Sequence, residues 1–104
     1  MSQRFLVVDN DELTRTNIQQ YFAVHGHQVD CAQGKNEAKA LLARSQYSVV
    51  ITDLRLNGTN TSGGLELCRY VSERYPETKS MVLHTPMPLA ELRQIALQLL
   101  GSES

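Results

Sequence analysis

Two short apolar runs in this chain each end in acidic residues. Phe5–Val8 is followed at once by Asp9-Asn10-Asp11, and the largely apolar run Val49–Thr52 is followed by Asp53. Continuous apolar runs of this length are typical of strands that are buried on both faces of a parallel sheet. Ligands of open α/β sheets bind outside the carboxyl ends of the strands. The sequence therefore predicts an α/β fold with an acidic pocket at one sheet edge, suited to a cation, a phosphate or both.

Strand and helix patterns alternate along the chain and predict the order β-α-β-α-β-α-β-α. Strands are expected at residues 4–8, 27–32, 48–52 and 80–85. Helices are expected at 12–24, 64–74 and 89–100, and a further one follows Gly34 and Asn36 with Ala38, Leu41 and Leu42 on its inner face. This alternation indicates a parallel sheet with right-handed crossovers. Asp11 is a candidate N-cap of the first helix and Gly26 a candidate left-handed cap at its end. The stripes expected to face the core are Ile18/Tyr21/Phe22/His25, Ala38/Leu41/Leu42, Leu67/Cys68/Val71/Tyr75 and Leu92/Ile95/Ala96/Leu99.

Composition excludes several classes of function. The 104 residues predict one domain, 1–104, with an ordinary soluble composition of 41% hydrophobic and 20% charged residues. A net charge of −1 argues against direct nucleic-acid binding, which needs clustered Lys and Arg. No apolar run reaches the length of a membrane span, and no signal peptide is recognisable, so a cytoplasmic location is expected. Cys31 and Cys68 are expected to be buried free thiols rather than metal ligands.

The order and spacing of several motifs resemble the receiver domain (CheY-like) of bacterial two-component response regulators. The resemblance covers residues 4 to about 100. The matching stretches are Phe5 to Glu12, Gly26, Ala32, Glu37-Ala38, Val49 to Leu54, Gly64-Leu65-Glu66-Leu67, Tyr75-Pro76 and Met81-Val82-Leu83. The resemblance implies a flavodoxin-like parallel sheet with strand order 2-1-3-4, which is the family order without its fifth strand.

The family's chemistry is phosphoryl transfer from a histidine kinase to an aspartate, which forms an acyl phosphate. By position, the resemblance makes Asp53 the phosphoacceptor. It places Mg²⁺ on Asp9, Asn10 and Asp53, with the backbone carbonyl of Arg55 as a further ligand. The implied partners are a sensor histidine kinase or a phosphotransfer protein, together with an output domain or a partner protein.

The chain departs from the family pattern at the pocket. Asn10 stands where a carboxylate is usual, so Mg²⁺ binding is expected to be weak, because an amide adds no charge. Asp11 either compensates for this neutral residue or turns away as a helix cap. His84 falls at the family's Ser/Thr switch position, and a register slip of one residue would put Thr85 there. His84 either donates to a phosphoryl oxygen or is a histidine at a strand end without a role. The longer loop 54–63 is either a lid over the pocket or a plain surface loop.

The chain also ends three residues after Gly101, where the family continues into a fifth strand, with its phosphate-contacting Lys, and a fifth helix. In a complete receiver the first and fifth helices cover one sheet face. Two outcomes are therefore expected here. Either the last helix crosses to the face of the first, or that face and the strand Met81–Leu83 form a homodimer or dock on another domain.

Four interpretations of the acidic pocket remain. The first is a phosphoaccepting receiver that uses Asp53. The alternative is a pseudo-receiver, a protein-interaction module with little or no phosphorylation, favoured by Asn10, His84 and the missing Lys of the fifth strand. A phosphatase with an aspartyl nucleophile would need a general acid and a substrate cap, which the sequence does not provide, so no enzyme is expected. Finally, Asp9 and Asp53 could simply end their strands.

Overall fold

The computed structural model describes residues 3–53, 63–83 and 87–101 of the chain. Within them, strands and helices alternate as the sequence predicts, and most bounds agree to within a residue. The elements are β1 (Arg4–Val8), α1 (Glu12–Val24), β2 (Gln28–Ala32), α2 (Lys35–Arg44), β3 (Val49–Asp53), α3 (Gly63–Arg74), β4 (Lys79–Leu83) and α4 (Leu89–Gly101). The last two residues of the predicted fourth strand lie outside the described residues.

The four strands form one parallel sheet in the order β2-β1-β3-β4, which confirms the predicted fold. β1 and β3 occupy the centre, as their continuous apolar runs require, because strands there are covered on both faces. Residues 5–8 of β1 and 49–51 of β3 have no exposed surface. The register pairs Phe5 with Val49 and Val8 with Thr52, so the residues that follow these two strands emerge together.

Helices cover both faces of the sheet, two on each side. On one face, α1 and α4 pack on the sheet through Phe5, Val7, Ile18, Phe22, Val29, Val49, Ile51, Leu83, Leu92 and Ala96. On the other face, α2 and α3 pack through Leu6, Val8, Ala32, Ala38, Leu42, Tyr47, Val50, Leu67 and Val71. Successive strand residues alternate between the two sets, as the two-residue period of a strand dictates.

The position of α4 settles the two expected outcomes for the uncovered face. In the family arrangement the fourth helix lies with the second and third, whereas here α4 lies with α1 in a shared core. Leu92 and Ala96 of α4 are fully buried there. The crossing of the last helix to the face of the first is thus confirmed. α4 covers the sheet face that a second copy would have used, whereas a homodimer through the strand Met81–Leu83 stays a prediction.

Both predicted caps of α1 are confirmed. The side chain of Asp11 accepts a hydrogen bond from the backbone N–H of Thr14 at the start of the helix. At its end, Gly26 has a φ of 85°, in the left-handed region where glycine is favoured. The N–H of Gly26 donates to Ala23 O and that of His27 to Phe22 O, each at 3.0 Å, which is the Schellman pattern. This cap moves His25 off the helical stripe, so the expected burial of His25 is wrong and its side chain is exposed.

His27 joins the end of α1 to α4. Its ring lies 5.3 Å from that of Phe5 and 5.9 Å from that of Phe22. The Nε of Arg93, on α4, donates to His27 Nε2 at 3.2 Å. The neutral ring therefore carries its proton on Nδ1, a buried atom without a hydrogen-bond partner among the described residues. Burial lowers the pKa of His27, and the nearby positive charges of Arg93 and His25 lower it further.

We expect His27 to make the fold less stable in acid. The unfolded chain binds a proton at this histidine near pH 6.5, but the folded chain does so only at lower pH. The free energy of unfolding should therefore fall as the pH drops below about 6.5 and level off below the folded-state pKa. In His27→Gln an amide oxygen can still accept from Arg93, and this part of the pH dependence should disappear. Urea unfolding between about pH 5 and 7 measures it. The exposed control His25→Gln removes only the smallest of the three causes that lower the pKa of His27, so it should keep most of the wild-type slope. An unchanged slope in His27→Gln would contradict the expectation.

The two cysteines are free, as expected, but both are only partly buried, so the expectation that these thiols are buried is wrong. Cys31 packs against the core that α1 and α4 share. Separately, none of the helices within residues 3–53, 63–83 and 87–101 combines the length and apolar character needed to cross a membrane.

Candidate functional site

The acidic residues that follow β1 and β3 come together at the carboxyl edge of the sheet. Because Val8 pairs with Thr52 in parallel register, the next residues, Asp9 and Asp53, emerge from neighbouring strands at the same level. Asp9 is only 4% exposed, and Asp53 is half-buried. The expectation that these two carboxylates share one edge is confirmed. Buried carboxylates side by side need a cation or a proton to relieve their repulsion.

Asp9 is held by hydrogen bonds on its main chain and its side chain. Its N–H donates to the carbonyl of Ala32 on β2 at 3.1 Å, and its Oδ1 accepts from the N–H of Asp11 at 2.8 Å. Burial raises the pKa of Asp9 above the usual aspartate value. The negative charges of Asp53 and Asp11 also raise it, against the opposing effects of the Asp11 N–H and the Arg15 guanidinium. Repulsion by the neighbouring carboxylates is thus present at Asp9, although burial contributes more.

Asp11 points away from the pocket and into the first turn of α1. Its Oδ2 accepts hydrogen bonds from Thr14 Oγ1 at 2.6 Å and from the Thr14 N–H at 3.3 Å. The hydroxyl of Thr14 is the main reason that the pKa of Asp11 is lowered. Of the two roles predicted for Asp11, helix capping is the one observed. The neutral Asn10 thus receives no carboxylate from the residue after it.

Asn10 is exposed and lines a cleft of about 420 Å³ together with the β2–α2 turn. The other side of this cleft is the start of α2, at Gly34 and Lys35. Lys35 Nζ lies 2.7 Å from Glu66 Oε1, an ion pair that links the first turns of α2 and α3 beside the pocket. Because Lys35 and Glu66 are partly exposed, this pair contributes little to stability. The cleft leaves Asn10, the residue that follows Asp9, open to solvent.

The donor set at this edge fits Mg²⁺ weakly. Mg²⁺ in proteins binds through one or two carboxylates and retains several waters, and Asp9 and Asp53 supply that minimum. Across the described part of the chain, no three His, Cys, Asp or Glu side chains gather into a metal-binding group. The predicted backbone ligand at Arg55, the switch residues His84 and Thr85, and the loop 54–62 considered as a lid all lie outside the described residues.

Two residues near the carboxylates were not predicted from the sequence. Arg15 Nη1 donates to the carbonyl oxygen of Asp9, and Thr52 Oγ1 donates to the carbonyl oxygen of Asp53 at 3.0 Å. Arg15 follows Asp11 by four residues, so it stands one helical turn above the N-cap and on the same side. That spacing is the only trace of its role in the sequence. Thr52 is fully buried, and it stands out as the polar residue within an apolar run.

A larger cleft lies at the opposite edge of the sheet. It encloses about 760 Å³ between the ends of α2 and α3, and Arg4, Arg44, Tyr47 and Tyr75 contribute to its lining. Neither carboxylate of the pocket reaches it, since Asp9 and Asp53 follow the carboxyl ends of their strands and this cleft lies at the amino ends. The residues predicted to carry the chemistry therefore lie at the other end of the strands from this cleft.

Comparison with known proteins agrees with this geometry. Residues 5–98 match the family model described as the response regulator receiver domain. The chain is 34% identical over 68 residues to the sensory/regulatory protein RpfC of Xanthomonas campestris, a match that covers 65% of this chain and 9% of that protein. It is 30% identical over 71 residues to the transcriptional regulatory protein ResD of Bacillus subtilis, covering 68% of this chain and 28% of ResD. The chain thus spans a small part of these relatives.

Solved structures share the fold. A CheY-like response regulator receiver domain protein from Methanospirillum hungatei superposes with a TM-score of 0.88 at 16% identity, covering 99% of this chain and 97% of that one. A receiver domain of a Francisella response regulator superposes with a TM-score of 0.85 at 18% identity, covering 99% of this chain and 100% of that one. At these identities the superpositions speak for the fold alone.

Proposed function

Because the chain belongs to the response regulator receiver family of two-component signalling, we propose that Asp53 accepts a phosphoryl group from a sensor histidine kinase or a phosphotransfer protein. The observation that carries the proposal is the pairing of β1 with β3, which sets Asp9 beside Asp53 at the carboxyl edge. Asp53 is the more accessible of the two carboxylates, whereas Asp9 is almost fully buried. Accessibility favours Asp53 as the nucleophile and Asp9 as the supporting charge.

The transfer is a displacement at phosphorus. A carboxylate oxygen of Asp53 forms the new O–P bond, and the bond from phosphorus to the donor breaks, with its electron pair leaving on the donor atom. The hydroxyl of Thr52 donates to the main-chain carbonyl of Asp53. This hydrogen bond limits the directions from which the Asp53 carboxylate can approach the phosphorus atom. Held by Asp9, Asn10, Asp53 and the carbonyl of Arg55, Mg²⁺ would offset negative charge on the phosphoryl oxygens. His84 or Thr85 is proposed as the residue that responds to phosphorylation.

A second candidate function is a pseudo-receiver that binds partner proteins without phosphorylation. One observation favours it: Asn10 is neutral, and the carboxylate of Asp11 is committed to Thr14 rather than to the pocket. The acidic pocket then has two carboxylates in place of three, and a hard cation gains less from it. In this version the fold itself provides the interaction surface, and Asp53 has no catalytic duty.

Treatment with acetyl phosphate distinguishes these functions. Incubation with acetyl phosphate and Mg²⁺ is expected to add about 80 Da to the intact mass, the equivalent of one phosphoryl group. The added mass should be lost in hydroxylamine, which cleaves acyl phosphates, and should not appear when EDTA removes Mg²⁺. A wild-type protein that shows no mass gain at saturating Mg²⁺ would reject the phosphoacceptor and support the pseudo-receiver.

Asn10→Asp is expected to tighten Mg²⁺ binding. A unit negative charge placed about 4 Å from a divalent cation contributes on the order of 2 kcal/mol even in water-like surroundings, and screening reduces this to about tenfold in affinity. The measurement is a Mg²⁺ titration followed by the amide resonances of residues 9–11. Gln20→Glu makes the same amide-to-carboxylate change at an exposed position farther along α1, and it should leave the affinity unchanged. Equal affinities for wild type and Asn10→Asp would mean that residue 10 is not at the metal.

We further propose that the domain acts in the cytoplasm and controls an output domain or a partner protein. Relatives with regulatory and transcriptional names are much longer than the matched region, which covers 9% of RpfC and 28% of ResD. In a protein of this kind, a receiver domain would signal its phosphorylation state to the remaining domains. We propose the same for this chain, whether the output domain is covalently joined to it or belongs to a partner protein.

A further inference from the structure

The turn between β1 and α1 is closed into a ring of hydrogen bonds. The N–H of Asp11 donates to Asp9 Oδ1 at 2.8 Å. The N–H of Arg15 donates to the carbonyl of Asp11 at 3.1 Å. The guanidinium of Arg15 then returns to the start of the ring, where Nη1 donates to the carbonyl oxygen of Asp9. Asp9 is thereby tied through both its main chain and one carboxylate oxygen, and Oδ2 lies outside the ring.

Arg15 is the one side chain that closes this ring. Its hydrogen bond to the Asp9 carbonyl is charge-assisted, and such bonds are about twice as strong as neutral ones. The guanidinium is half-buried, and the thiol of Cys31 lies 3.9 Å from the main-chain carbonyl of Arg15, which anchors this turn of α1 to β2. Without the guanidinium of Arg15, the carbonyl of the nearly fully buried Asp9 loses this hydrogen bond. The ring of hydrogen bonds then opens at Asp9.

We propose that Arg15 is a positioning residue of the phosphoryl site: it holds the main chain of Asp9 so that Oδ2 stays aimed at the cation beside Asp53. This inference rests on the proposed function, since it assigns Arg15 a task in the same pocket. Arg15 acts through Asp9 and touches neither the cation nor the phosphoryl group. Partners that orient a metal ligand in this way commonly change metal affinity by about 10- to 100-fold.

An electrostatic role and a positioning role for Arg15 predict opposite changes in Mg²⁺ affinity when Arg15 is removed. A positive charge next to a cation site repels the cation, so a purely electrostatic role means that removing Arg15 tightens Mg²⁺ binding. A positioning role means that removing it weakens binding, despite the loss of repulsion. Arg15→Met keeps the length and the packing of the side chain but has neither charge nor donor. Arg15→Lys keeps the charge and part of the donor capacity, and it serves as the conservative rescue.

The experiment is a Mg²⁺ titration, without any phosphodonor, of wild type, Arg15→Met and Arg15→Lys. It is followed by the amide resonances of residues 9–11. Arg15→Met is expected to bind about tenfold more weakly than wild type, with Arg15→Lys between them. Arg69→Met makes the same substitution at an exposed position on α3 and should match wild type. Circular dichroism checks that each variant is folded, and Arg15→Lys carries the test if Arg15→Met is not.

Each result bears on the inference. Equal or tighter binding by Arg15→Met overturns it, and so does a wild-type protein that binds no Mg²⁺. Wild type that binds Mg²⁺ but takes no phosphoryl group counts against the proposed function and leaves the positioning role of Arg15 standing. Where phosphorylation does occur, Arg15→Met should need about tenfold more Mg²⁺ for its half-maximal rate and reach the same maximal rate. A lower maximal rate at saturating Mg²⁺ would place Arg15 in direct contact with the reaction instead.

Discussion

Asp53→Asn is expected to abolish phosphorylation completely. An amide is not nucleophilic enough to form an acyl phosphate, and Asp9, at 4% exposure, is too enclosed to take over the reaction. Intact mass after incubation with acetyl phosphate and Mg²⁺ should show the wild-type gain of about 80 Da and none in the variant. The variant should unfold at a temperature no lower than wild type, since the substitution removes a like charge beside Asp9.

Asp30→Asn is the matched control for this loss. Asp30 lies on β2, where its Oδ2 accepts a hydrogen bond from Tyr47 Oη at 2.6 Å, and an asparagine oxygen can accept the same bond. The control should therefore be labelled like wild type. A mass gain retained in Asp53→Asn would move the phosphoacceptor to another residue, and peptide mapping after borohydride reduction would then identify it.

Leu92→Ala is expected to destabilise the fold by about 3 kcal/mol. Leu92 belongs to α4, is fully buried, and packs in the core that α4 shares with α1 and the sheet. Truncation leaves a cavity against side chains that relax only in part, and the loss is a large share of the roughly 5–15 kcal/mol that holds a small domain together. The change in the free energy of unfolding is measured by urea unfolding, followed by the helix signal in far-ultraviolet circular dichroism at about 220 nm.

Leu13→Ala provides the control for Leu92→Ala. Leu13 is also helical, but 67% of its side chain is exposed, so the same truncation should change the free energy of unfolding by less than about 0.5 kcal/mol. Similar values for the two variants would show that α4 is not packed on the α1 side of the sheet. The comparison therefore tests the helix placement that distinguishes this chain from the arrangement expected for its family.

The sheet was predictable because its evidence is local and redundant. The runs that became β1 and β3 are apolar on both faces, a pattern typical of central parallel strands. Asp11 and Gly26 marked both ends of α1 by residue type, and each forms the predicted cap. With the strands parallel, Asp9 and Asp53 had to share the carboxyl edge. The main outline of the candidate site therefore followed from the order of the elements.

Details that depend on side-chain direction were harder to predict. Periodicity identified Leu92 and Ala96 as inward-facing, but it did not say which side of the sheet α4 would choose, and both alternatives stayed open. The contact between Arg15 and the Asp9 carbonyl involves a backbone atom, which has no signature in the sequence. The burial of His25 was predicted as though the helical stripe continued, whereas the cap at Gly26 turns the chain after Val24. The side of the sheet that α4 covers, the Arg15 contact and the exposure of His25 all depend on three-dimensional geometry, which the spacing of residue types does not determine.

Because α1 and α4 share one core, the order in which this chain folds is constrained. During synthesis, β1 to β4 leave the ribosome before α4, and α1 alone cannot shield the apolar side that Phe5, Ile51 and Leu83 present. Until α4 has emerged, a partly assembled sheet exposes a surface prone to aggregation. The contacts between α1 and α4, which lie far apart in the sequence, also carry a high loop-closure cost, which slows folding. Cooperative folding of the core that they share is therefore expected to wait for the thirteen residues of α4, so that nascent chains arrested before Leu89 are the ones most in need of a chaperone.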